Sequence, residues 1–273
     1  MVMNGMIHNN MYNDFVSYVK SINNDDFAET AFKSNPSFTY VLEHTNPKQG
    51  IAYLKSIETE FPDVTYDELR KFINLNDKYG NSIKSIFTTK QNKMLYCSAS
   101  NMRYIYQALV ILKEFKEKQA TSIVEIGAGY GGLFLAINHF AEKQGVKIKQ
   151  YKIVDLTDVC VLINNYLELN KSGVSIPYEF VDATTYGQDI VVDNDEKLFL
   201  ISNYCFTELE EEHRKKYIQH LFSKVEHGFI IWQTCFGIGL DYLEKAMKNK
   251  KWVKTEETPQ TASVEFPNYF ITF

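Results

Sequence analysis

The sequence predicts an α/β protein, a mostly parallel sheet preceded by a helical extension, and three observations predict it. From residue 122 onward, short apolar runs alternate with segments of helical periodicity, the pattern of strands joined by crossover helices. The first of those runs breaks into glycines, Val-Glu-Ile-Gly-Ala-Gly-Tyr-Gly-Gly over 124–132. Before residue 118 the alternation is missing, and only helical spacing is evident.

The elements follow in order. Residues 13–22, 67–75 and 101–118 carry apolar side chains at helical intervals, while Pro36, Pro47, Pro62 and Asn/Asp clusters punctuate the segments between them. No strand-rich block is visible there, so 1–118 reads as a helical extension or cap and 119–273 as the domain it covers. Strands are expected at 122–126, 151–154, 176–181, 197–203, 228–233, 251–256 and 269–273. Helices are expected at 133–143, 157–170, 210–225 and 240–250. The last two strands have no helix between them and should pair as a hairpin. The result is a seven-stranded, Rossmann-like sheet.

Bulk properties bound the partners. Of 273 residues, 45% are hydrophobic and 23% charged, with a formal charge of -5 and no long Lys/Arg block. That disfavours a nucleic-acid backbone as partner. No run of about 18 apolar residues exists, so no membrane span is expected. The polar first 13 residues lack an apolar signal core. Cys97, Cys160, Cys205 and Cys235 form no CxxC pair, and each lies in an apolar stretch where a buried thiol is expected. Such usage suits a reducing cytoplasm. His139, His220 and His227 share no metal-ligand spacing, and no metal is expected. A small-molecule or glycan substrate and a homo-oligomer are both compatible with these numbers.

The glycine run is the informative segment. It follows a strand and precedes a helix, as a nucleotide-binding loop must. Gly127 and Gly129 let the backbone turn tightly and approach a ligand, and the helix beyond Gly131 offers unpaired N–H groups. Gly127, Gly129 and Gly132 also satisfy the dinucleotide spacing, so spacing alone does not separate two cofactors. Glu125 does. A carboxylate two residues before the first glycine repels a pyrophosphate but suits the ammonium and sulfonium of S-adenosylmethionine.

Acids at the next strand ends extend the site. Asp155, in Ile-Val-Asp-Leu, lies 23 residues after Gly132, near the spacing of about 20 for a ribose-binding acid. Asp158 is the more natural helix cap, and the pair could hold a divalent ion, although ribose binding explains Asp155 better. Asp182, in Phe-Val-Asp-Ala, could accept from an adenine amino group. The candidate cofactor-binding set is Glu125, Gly127, Ala128, Gly129, Tyr130, Gly131, Asp155, Leu156, Asp182, Ala183 and Asn203. Ser202, Asn203 and Tyr204 end the fourth strand, where ligands bind in such sheets.

These residues resemble a known group. The segments 125–132, 153–156 and Ser-Asn-Tyr-Cys-Phe-Thr-Glu-Leu over 202–209 are similar to the sugar O-methyltransferases of bacterial surface-polysaccharide gene sets, within the class I S-adenosylmethionine-dependent methyltransferases. The resemblance covers roughly residues 95–235 and does not reach the first 90. Seven strands with a terminal hairpin is the class I layout. What the resemblance implies is a sugar hydroxyl, on a glycan or a nucleotide sugar, as methyl acceptor. Such a hydroxyl needs a base within reach. Glu208, inside the matched segment, and His213 are the candidates, with Asn203 orienting the acceptor or the cofactor. Tyr96, Asn101, Arg103 and Tyr104 precede the first strand. Arg103 could bind a phosphate, though a surface salt bridge is its more ordinary role. Three other readings stay open: methylation of a natural product or phosphoramidate, a nicotinamide oxidoreductase, and an inactive S-adenosylmethionine-binding module.

Overall fold

The computed structural model describes residues 2–22, 26–247 and 250–273, with side chains from Tyr12 onward. The chain forms two compact units. The first comprises Met1–Val110, Gly129–Phe140 and Asp158–Ser175; the second comprises Ile111–Ala128, Ala141–Thr157 and Ile176–Phe273.

The chain begins with helices α1 (Val2–Ser21), α2 (Pro36–Val41), α3 (Pro47–Glu60) and α4 (Tyr66–Asn76). A hairpin of β1 (Lys84–Thr88) and β2 (Met94–Ser98) follows, then the long α5 (Ala99–Glu117). Two starts are locally encoded. Asn46 accepts from the Gln49 N–H while the Gln49 side chain returns to the Asn46 N–H, with Pro47 at the first helical position. Thr65 and Glu68 form the same reciprocal cap on α4. The hairpin corrects the expectation of an extension without strands. Phe87, Leu95 and Cys97 point inward and are buried, whereas Ile86, Met94 and Tyr96 point out and are exposed. Apolar residues on both faces blur the alternation that marks a strand.

Beyond α5 the chain runs β3 (Ser122–Ile126), α6 (Gly132–Ala141), β4 (Tyr151–Asp155), α7 (Thr157–Leu169), β5 (Tyr178–Asp182) and β6 (Leu198–Asn203). It closes with α8 (Glu211–His220), β7 (His227–Gln233), α9 (Asp241–Ala246), β8 (Val253–Glu256) and β9 (Asn268–Thr272). These match the predicted strands and helices to within a few residues at each end. Part of the predicted 240–250 helix, residues 248 and 249, lies outside the described residues.

The seven strands lie in the order β5-β4-β3-β6-β7-β9-β8. The first five are parallel, and β9 pairs antiparallel with both β7 and β8. This is the class I methyltransferase layout that the sequence predicted. Every residue of β3 and β4 is buried, which is why these strands read as continuous apolar runs. The edge strand β8 is exposed throughout and carries Lys254 and Glu256, charges that discourage pairing with another chain. Within the second unit, Leu198, Leu200, Ile230, Trp232 and Ile271 pack with Tyr217 and Leu221 from α8 and the turn beyond it. That packing fixes β6 and β7 and therefore the loops at their carboxyl ends.

Candidate active site

Strand order reverses at β3, whose neighbours β4 and β6 run parallel to it on either side. Their carboxyl ends form the crevice where open α/β sheets bind ligands. In the second unit Glu125, Gly127, Ala128, Asp155 and Asn203 all lie at these ends.

Glu125 is buried on β3 and accepts the Tyr151 hydroxyl at 2.7 Å. Burial pushes its carboxyl up to about 8. The Tyr151 hydrogen bond opposes that rise, and the nearby Asp155 charge adds to it. At neutral pH the group is therefore mostly protonated when no cation is beside it. Tyr151, a residue the motif did not indicate, is the partner that fixes its orientation.

Gly127 adopts φ +76° and donates to the Val154 carbonyl. A Cβ built there would lie 2.4 Å from the Cys205 sulfur. No side chain fits, for reasons of both backbone conformation and space. Asp155 is buried, and its two oxygens accept the N–H groups of Ala128 at 2.9 Å and Leu156 at 2.8 Å. It thus fastens the start of the glycine loop to the end of β4.

Cys205 brings the acids together. Its thiol is pushed well above the usual range by burial, and then by the charges of Asp155, Glu208 and Glu125. The charges of three carboxyl groups thus act on the sulfur that closes against Gly127. Cys97 and Cys160 are buried, as expected of all four thiols, but Cys205 is half-buried and Cys235 is exposed. Cys235 sits in a single-turn helix after β7, where the strand's apolar run has ended.

The Ser202–Leu209 segment is built around two hydrogen bonds. The buried Ser202 hydroxyl donates to the Ile126 carbonyl at 3.3 Å and accepts the Phe206 N–H at 3.1 Å. Ser202 therefore ties β6 to β3 rather than facing a ligand. Tyr204 sits at φ +57°, an uncommon conformation for a side chain of this size, with its hydroxyl on Glu257. Glu257 is buried and also accepts from Thr261 and Asn268. Nothing around it in the sequence marks it out. Asn203 ends β6, half-buried.

The two candidate bases diverge. Glu208 is half-buried and accepts from the Gln233 amide at 3.1 Å, and Thr207 holds the other end of that amide at 2.9 Å. His213 instead shares a 2.9 Å hydrogen bond with the Tyr186 hydroxyl and stacks on its ring. Asp182 is exposed and caps the turn through Ala183, accepting from the Thr184 N–H and hydroxyl, with Thr157 on its other oxygen. Those bonds hold its carboxyl below the usual range, the Thr184 hydroxyl first.

The remaining glycine-run residues belong to the first unit. Gly129 and Gly131 have φ of +65° and +87°, and Cβ atoms there would meet Leu42 at 2.8 Å and Ile163 at 3.0 Å. Tyr130 is buried among Phe32, Phe38, Tyr104 and Tyr166. Arg103 is buried, not a surface salt bridge: it donates to the Leu42 carbonyl at 2.7 Å and lies over the Tyr104 ring. Among the described residues no group of three or more His, Cys, Asp or Glu side chains could hold a metal ion. None of the described helices is long and apolar enough to cross a membrane.

No family model and no curated protein matches this chain. Solved structures similar to it include the methyltransferase domain of bacterial CtHen1-CN, at 13% identity over 61% of this chain and 96% of that one, with a TM-score of 0.47. The small RNA methyltransferase HEN1 follows at 12% identity over 64% and 25%, with a TM-score of 0.47. An O-methyltransferase family protein from Burkholderia thailandensis is 10% identical over 64% and 58%, with a TM-score of 0.40. The chain thus spans a quarter of the second and somewhat over half of the third.

Proposed function

We propose that this chain is an S-adenosylmethionine-dependent O-methyltransferase whose acceptor is a sugar hydroxyl of a bacterial surface polysaccharide or its nucleotide-sugar precursor. The observation that carries the cofactor is the buried Glu125 at the end of β3, beside a glycine turn that no side chain can enter. S-adenosylmethionine supplies a methyl group on a sulfonium, already activated for displacement.

The chain's own residues then have three tasks. Glu125, ionised once a cation is beside it, holds positive charge that the crowded carboxyl groups around Cys205 also favour. Asp155 fixes the loop through Ala128 at the strand end where a ribose-binding acid is expected. Glu208, held by the Gln233 amide, would take the proton of the acceptor hydroxyl. Glu208 is preferred to His213 because it lies within the 202–209 segment that carries the resemblance. The acceptor class rests on the similarity of residues 202–209 to sugar O-methyltransferases.

Calorimetric titration with S-adenosylmethionine and with NADH tests the cofactor, and transfer of a labelled methyl group to nucleotide sugars and capsule oligosaccharides tests the acceptor. Binding of NADH in place of S-adenosylmethionine would refute the first part. Efficient transfer to a non-sugar acceptor alone would refute the second.

A further inference from the structure

The loop between β8 and β9 starts at the same end of the sheet as the candidate active site. β9 runs antiparallel to both β7 and β8, so β8 runs parallel to β7, and its last residue lies at the end of the sheet where β6 and β7 finish. Glu257 follows at once, and it is buried. One of its oxygens accepts the Tyr204 hydroxyl. The other accepts the Thr261 N–H at 3.1 Å, the Thr261 hydroxyl at 2.7 Å and the Asn268 amide at 3.0 Å. All four donors are neutral. Burying an ionisable group without a cationic partner is costly, and a loop that needed only to fold would be held as well by apolar contacts.

Two routes lead from Glu257 to Glu208. The first passes through Tyr204, which follows β6 at φ +57°, a conformation that a bulky side chain keeps only where its surroundings impose it. The bond from its hydroxyl to Glu257 is one such constraint. The next residue, Cys205, closes against Gly127, and its carbonyl accepts the Glu208 N–H at 2.8 Å. The conformation of Tyr204 therefore sets where the Glu208 turn begins. The second route crosses the sheet. Asn268, which donates to Glu257, opens β9 directly opposite Gln233, the last residue of β7. Directly opposed side chains lie next to each other on one face of a sheet. The Gln233 amide is the group that donates to the Glu208 carboxylate at 3.1 Å, with the Thr207 hydroxyl on its oxygen at 2.9 Å. Thr234, next along, donates to the Pro267 carbonyl at 2.9 Å and ties the far end of the loop to the same place. Glu257 thus bears on Glu208 at both its backbone and its carboxylate.

We propose that Glu257 is a positioning residue for Glu208, acting through Tyr204 and Gln233. Its part in turnover rests on the methyl-transfer reading above; its coupling to the Glu208 turn does not.

The test uses Glu257→Gln and Tyr204→Phe in the full chain. Hydrogen exchange read by NMR should show the Glu208 amide exchanging about tenfold faster or more in both variants, with the amides of β3 and β4 unchanged. The kcat for the acceptor that the wild type methylates should fall about tenfold or more, with acceptor KM and S-adenosylhomocysteine affinity within about threefold. In a Glu208→Gln background either variant should slow turnover no further, because its effect passes through Glu208. A residue that merely holds the fold would slow both backgrounds by the same factor. That multiplication, an unchanged kcat, or an unchanged Glu208 amide overturns the proposal. Should Glu257→Gln fail to fold, Tyr204→Phe, which removes a single hydroxyl, decides by the same readings. A wild type that methylates no acceptor defeats the methyl-transfer reading, and exchange at Glu208 then decides the coupling by itself: faster exchange keeps it, unchanged exchange overturns it.

Discussion

The two units handle buried charge in opposite ways. In the second, the charges of Asp155, Glu208 and Glu125 all act on the Cys205 thiol, and Asp155 accepts backbone N–H groups of its own neighbourhood. In the first, the buried cations Lys33 and Arg103 are held by aromatic faces and by carbonyl groups far apart in the chain. A carboxyl group buried at a strand end favours a cation beside it, whereas an ammonium already ringed by aromatic faces and oxygen acceptors is part of the packing.

Breaking the acidic side should have the larger effects. Glu208→Gln should slow methyl transfer by about 10²–10⁴-fold, the usual worth of a general base, while leaving S-adenosylmethionine affinity within about twofold. Single-turnover transfer and calorimetry on the same protein separate the two. Gly127→Val places a side chain against the Cys205 sulfur and forces φ +76° on a branched residue. Cofactor affinity should fall by about 100-fold or more, and the strained conformation should cost the fold only about 1–3 kcal/mol by thermal unfolding. Retention of wild-type affinity would mean that the turn does not hold the cofactor.

On the other side of the comparison, Lys33→Ala should destabilise the chain by about 2–4 kcal/mol, since it leaves a void among the Phe32, Tyr130 and Tyr166 rings and removes the ammonium's bonds to Asn76 and Tyr166. Lys33→Met, which keeps the volume, should cost less, and urea unfolding of both variants measures the gap. The smallest effect is expected at His213. His213→Asn, which removes its stacking on Tyr186, should change turnover less than threefold, in contrast to Glu208→Gln.

The second unit was largely legible from sequence because its information is local. Most strands hold a short apolar run bounded by helical segments, and the candidate site residues sit at fixed offsets from strand ends, as Glu125, Asp155 and Asn203 do. What spacing could not show was the state of these groups. Asp182 serves as the cap of a turn, Ser202 as a tie between strands, and His213 as a partner of Tyr186, all matters of three-dimensional contact. The first unit was far less legible. Its hairpin lacks a clean alternation, and the surroundings of Lys33 join residues 33, 76, 130 and 166, which no local pattern connects. The start of α3 was readable after all, since Asn46, Pro47 and Gln49 spell a reciprocal cap.

The central claim concerns the charge of Glu125. Its carboxyl is raised to about 8, so it is mostly neutral at pH 6–7 and ionises as pH rises through 8. The ionised form is the one that attracts a cation. Calorimetric titration with S-adenosylmethionine from pH 6 to 9, in two buffers of different ionisation heat, measures this directly. The account predicts affinity rising about tenfold or more over that range, release of nearly one proton per ligand at pH 7, and loss of both effects in Glu125→Gln. Affinity that is flat or falls with pH, with no proton released, would contradict it.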